Sequence, residues 1–135
     1  MRETSLMRSV LYLSAVVFAF SSLPTLAGSP TPAGATKVIS SVHSAASKSD
    51  FQALQALMTE EFTWSFGGDS SPDQAIAAWR SNPHAIAALR RITGKNCGRI
   101  SEQLIQCPQN AGISYRAGFT ETPAGWRMAY FVAGD

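Results

Sequence analysis

Residues 113–132 read ISYRAGFTETPAGWRMAYFV. Ile113, Tyr115, Ala117 and Phe119 alternate with polar or small residues, and Trp126, Met128, Tyr130 and Val132 alternate again after the loop ETPAG. A period of two puts successive side chains on opposite faces of a half-buried strand, and a short Pro/Gly-containing loop joins two such runs as an antiparallel hairpin. Upstream, Arg99 to Gln106 reads as a short edge strand or hairpin tied by Cys97 and Cys107.

The pattern changes further toward the N-terminus. From Ala35 to Lys48 the apolar residues Val38, Ile39, Val42, Ala45 and Ala46 recur at helical spacing, with His43 off the stripe and facing solvent. Ser49 and Gln52 have the spacing of a capping box for a second helix, whose apolar face is Phe51, Leu54, Leu57 and Met58. Phe62, Trp64 and Phe66 then alternate as a strand, and Gly67-Gly68 turns the chain. Ser71, Pro72 and Gln74 carry the signals of a helix start, with Asp73 in the first turn where the helix dipole favours a negative charge. Asn82-Pro83 kinks or restarts that helix, and Gly94 ends it. Helix, helix, strand, kinked helix and three strands argue for an α+β domain, its N-terminal helices packed on a small antiparallel sheet.

The chain opens with an export signal. Arg2 and Arg8 precede the apolar run Val10 to Phe20, and SSLPTLA ends at Ala27 as a small-residue cleavage site. The run is shorter than the ~20 residues a spanning helix needs, so no stable membrane anchor is expected after cleavage. Residues 1–27 are therefore read as a signal peptide, 28–34 as a flexible Pro/Gly/Ser tether, and 35–135 as one domain, periplasmic or secreted. In an oxidising compartment a Cys97–Cys107 disulfide is the default expectation, stabilising the fold by roughly 3 kcal/mol. Two Cys and two His without ligand spacing argue for no metal site, and no cofactor motif occurs.

The pattern KSDFQALQALMTEEFTWSFGG, with Asp50-Phe51 and Leu54 as its "D–hydrophobic–x–x–L", resembles the opening of nuclear transport factor 2-like domains. That resemblance implies a cone-shaped α+β fold. A second resemblance, to small uncharacterised exported bacterial proteins, rests on SFGGD at Ser65–Asp69, Trp79, the C…CP pair at Cys97/Cys107-Pro108, and GWRMAYFVAGD at Gly125–Asp135. It implies a shared fold and carries no activity. Enzymes among the nuclear transport factor 2-like domains project a polar acid/base group into an apolar pocket, often Asp with Tyr or His. The candidates here are Asp69 with Tyr115 or Tyr130. Asp69 equally suits a turn-capping role before a helix, and both tyrosines suit ordinary sheet packing. His84 is expected as an exposed first-turn residue.

Charge is more informative. Beyond Ala27 there are nine basic and eight acidic residues, a net charge of about +1, which argues against nucleic acid as partner. Between Asp73 and Glu102, however, no acidic residue occurs, while Arg80, Arg90, Arg91, Lys95 and Arg99 all do. Cations near a helix C-terminus suit its dipole. They also suit an anion-facing patch. The leading expectation is an exported, non-enzymatic domain that binds a small ligand or envelope macromolecule through an aromatic face (Trp64, Phe66, Trp126) flanked by this basic cluster. The alternatives are an isomerase- or dehydratase-type enzyme with a pocket carboxylate, and an inhibitor or immunity-type protein.

Overall fold

A computed structural model describes residues 31–66 and 70–134. The signal segment 1–27 and Asp69 lie outside the described residues. Among the described residues, four helices and five strands follow in the order α1 (Ala33–Ser47), α2 (Phe51–Ala56), β1 (Met58–Thr63), α3 (Pro72–Arg80), α4 (Pro83–Thr93), β2 (Gly98–Ser101), β3 (Leu104–Cys107), β4 (Arg116–Thr122) and β5 (Gly125–Val132). The strands form one sheet in the order β1-β5-β4-β3-β2. The fold is α+β, with the helices packed on one face of the sheet.

The C-terminal hairpin is present and tighter than ETPAG suggests. Thr122 pairs with Gly125, leaving Pro123-Ala124 as the turn, and Gly125 takes a φ of +104° that only glycine adopts without strain. Ile113 lies outside β4 and is 68 % exposed. Arg99–Gln106 resolves into two strands, β2 and β3, paired antiparallel. Not every pairing in the sheet is antiparallel: β1 joins β5 in parallel, with Met58 opposite Met128 and Thr63 opposite Tyr130. Strand pairing with β5 therefore covers Met58–Thr63, and Trp64 and Phe66 fall beyond it.

Helix boundaries follow local chemistry. α1 starts at Ala33, inside the segment read as tether, because Pro32 leaves helical geometry (ψ 144°) and its carbonyl accepts the Thr36 amide. The cap of α2 is Asp50, which accepts the Ala53 amide at 3.1 Å, and not Ser49, whose φ of 49° turns the chain between helices. Ser71 caps α3 with Pro72 at its first position. Asn82 caps α4 through the Ala85 amide at 3.3 Å, so Asn82-Pro83 separates two helices instead of kinking one.

Helix stripes and sheet face meet in one core, where Val42, Leu54, Phe62, Leu89, Ile105, Phe119, Met128 and Phe131 are all buried. Trp79 is its hub. Its ring meets Phe62 edge-on at 5.6 Å and Phe131 at 5.5 Å, and Phe131 stacks on Tyr115 at 5.2 Å. Such pairs add about 0.5–1.5 kcal/mol each beyond burial. Cys97 and Cys107 are disulfide-bonded, joining the start of β2 to the end of β3.

Candidate functional site

The basic segment comes to a shared surface at the C-terminal end of α4, where it packs on α1. Arg90, Arg91 and Lys95 line an open depression of about 430 Å³ together with His43, Ala87 and Gly94. α4 buries Ile86, Leu89 and Ile92, which leaves Ala87, Arg90 and Arg91 on its outer side by helical spacing. α1 brings His43 to the same place from 47 positions upstream.

His43 is half-buried, not solvent-facing as its place off the α1 stripe implies. Its Nδ1 lies 2.9 Å from the Arg90 carbonyl oxygen and 3.2 Å from Thr93 Oγ1. A carbonyl can only accept. The Thr93 hydroxyl already donates to the Leu89 carbonyl at 2.7 Å. Nδ1 therefore carries the proton, and in the neutral ring Nε2 keeps its lone pair. Gly94 adjoins the same ring, since a Cβ there would sit 3.5 Å from His43 Cε1.

These contacts also answer what the cations do for α4. The Leu89 carbonyl is taken by Thr93, the Arg90 carbonyl by His43 and the Ile92 carbonyl by the Lys95 amide. None of these three bonds uses a cationic head group, and Arg90, Arg91 and Lys95 line the depression. The remaining two basic candidates sit elsewhere. Arg80 lies over the Phe51 ring at 4.8 Å, tying α3 to α2. Arg99 lies in β2 and donates to the Glu102 carbonyl of the β2–β3 turn at 2.8 Å.

The three aromatic candidates are dispersed. Trp64 lines a cleft of about 220 Å³ with Trp79, Asn82, Tyr115 and Phe131, and its indole N–H is buried without a partner among the described residues. Phe66 is 52 % exposed on the other side of the sheet, under the Arg116 guanidinium at 5.6 Å. Trp126 rests on the start of α1, where a Cβ on Gly34 would lie 2.7 Å from Trp126 Cδ1.

The two tyrosines part company in the same way. Tyr115 faces the Trp64 cleft. Tyr130 lies on the sheet face away from the helices, beside a recess of about 210 Å³ lined by Thr63, Phe66, Arg116 and Val132. Its hydroxyl donates to Gln106 Oε1 at 2.5 Å, and the Gln106 amide in turn donates to the carbonyls of Pro108 and Gln109. Burial raises the Tyr130 phenol above its ordinary value of 10.0, against the opposing pull of Arg116. His84 is exposed at the start of α4. No group of three or more metal-ligating side chains occurs among the described residues.

Of the five cations the sequence singled out, three line this depression, and His43, read as solvent-facing, was not among the candidates. Its signal was present only as a polar residue off the α1 stripe, and the partner carbonyl it finds is invisible in a sequence. The Gln106–Tyr130 pair was missed too, although a glycine at 118 inside a strand is the usual mark of a close approach.

No protein-family model matches the chain, and no curated protein matches it either. Among solved structures it is similar to an NTF2-like protein with a cystatin-like fold from Novosphingobium aromaticivorans, at 18 % identity and a TM-score of 0.40 over 72 % of this chain and 76 % of that one.

Proposed function

We propose that this chain is an exported, non-enzymatic binding domain whose depression between α1 and α4 receives an anionic group of a cell-envelope partner. The observation that carries the reading is the convergence of Arg90, Arg91, Lys95 and His43 on one open surface, with the Arg90 and Ile92 carbonyls taken by groups other than the cationic heads. Export is supported by the N-terminal apolar run and by the disulfide, which needs an oxidising compartment to persist.

The test uses residues 28–135 and inorganic polyphosphate as probe, followed by amide chemical shifts. Perturbations are expected at His43, Ala87 and the segment 90–95. Replacing Arg90, Arg91 and Lys95 together by Gln is expected to weaken binding at least about tenfold, equivalent to about 1.4 kcal/mol. Perturbations elsewhere, or an unchanged affinity in the triple variant, overturn the reading. Intact mass of the protein made with export tests the other half: loss of residues 1–27 and the two-hydrogen deficit of a disulfide are expected, and a retained N-terminus overturns it.

A further inference from the structure

The proposed anion site holds one group whose proton is assigned by its surroundings. His43 Nδ1–H donates to the Arg90 carbonyl, beside Thr93 Oγ1, and the other tautomer would set the Nδ1 lone pair against that carbonyl oxygen. Nε2 is the remaining nitrogen of a ring that lines the depression, and Nε2 is not among the buried polar atoms lacking a partner. In the neutral ring it is an acceptor.

Charged neighbours of His43 are few in kind. From α4 and its end they are Arg90, Arg91 and Lys95, all cationic. On α1 itself Lys37 lies six positions before and Lys48 five positions after. Asp50, the cap of α2, lines a different depression with Lys48 and Ser44. Among the described residues, none of the side chains lining the His43 depression is a carboxylate. From the strands that pack on α1, the charged residues are Arg116, Glu121 and Arg127, and none of them lines it either.

A ring of cations with one acceptor treats oxyanions unequally. Sulfate carries no proton near neutral pH, so its oxygens meet the Nε2 lone pair unfavourably unless His43 is first protonated. An oxyanion that keeps an O–H can donate it to Nε2 while its other oxygens face Arg90, Arg91 and Lys95. Resting on the anion-site reading above, we propose that the depression selects protonated oxyanions, inorganic phosphate or a monoprotonated phosphomonoester, over sulfate at neutral pH, with His43 Nε2 as the discriminating acceptor.

Binding is a hydrogen-bond exchange in which the ligand retains its proton.

The experiment titrates the protein with inorganic phosphate and with sulfate at neutral pH and follows the His43 ring resonances and binding isotherms. The expected result is a preference for phosphate of at least about tenfold. The variant His43→Asn places an amide N–H where Nδ1 stands, preserving the bond to the Arg90 carbonyl while deleting Nε2. It is expected to lose the preference for phosphate and keep the fold. A purely structural His43 leaves that preference unmoved by the substitution. Equal affinities for the two anions, or a preference that survives in His43→Asn, overturn the proposal while leaving the anion site standing. Failure of both free anions and of phosphatidic acid vesicles to bind overturns the site itself. Phosphatidylcholine vesicles carrying phosphatidic acid separate the ligand's sources. Binding to them alone, lost in His43→Asn, assigns a lipid headgroup, and perturbation by free phosphate assigns a soluble ligand.

Discussion

A Cβ on Gly118 would overlap the Tyr130 ring, which lies across β4 from its partner position on β5 to reach Gln106 on β3. Gly118→Ala forces that ring off its bond to Gln106. A loss of about 1–3 kcal/mol is expected, as for overpacked sites, read as a lower denaturation midpoint in urea. Tyr130→Phe removes only the hydroxyl and is expected to cost about 1 kcal/mol. The same residue makes a pH prediction. Burial holds the folded phenol above its ordinary 10.0, so the unfolded chain releases its proton first as pH rises. The stabilisation is complete below about pH 10 and is lost as pH climbs through the folded value. Midpoints measured from neutral to strongly alkaline pH are expected to fall more steeply in the wild type than in Tyr130→Phe, and parallel curves contradict the assignment.

Elements were legible where a local rule governs and illegible where a distant partner decides. Ser71-Pro72 and Asn82-Pro83 begin helices as their side chains and the proline ring require. Asn82→Ala is therefore expected to destabilise by about 1 kcal/mol in thermal or chemical unfolding. Ser49 and Asp50 stand side by side, both competent caps. The cap fell to Asp50 because Ser49 takes a positive φ. Ser49→Gly is accordingly expected to raise the unfolding midpoint slightly, by at most about 1 kcal/mol, since glycine holds that angle without strain. The alternation Phe62, Trp64, Phe66 correctly signalled a strand and misplaced it, because register with β5 is set by Met58 and Thr63. The depression between α1 and α4 is half legible for the same reason. Its cations lie close together in sequence on and just after α4, whereas His43 arrives from α1 by tertiary packing.

At the scale of the molecule the α+β layering follows from the order of periodic segments, and the disulfide from two cysteines in a chain read as exported. Replacing Cys97 and Cys107 by Ala is expected to cost roughly 3 kcal/mol by freeing the closed loop in the unfolded chain. Unfolding curves of reduced and oxidised protein check this directly. The strand order was not legible. β1 pairs only with β5, the last strand of the described residues, and β5 in turn separates β1 from β4. That arrangement has a kinetic consequence. Until β5 emerges, β1 has no edge to join and the aromatic hub lacks Phe131, so the sheet cannot close on a partly made chain. Contacts this distant in sequence close slowly. For the export proposed above, such a delay would keep the chain open for passage across a membrane.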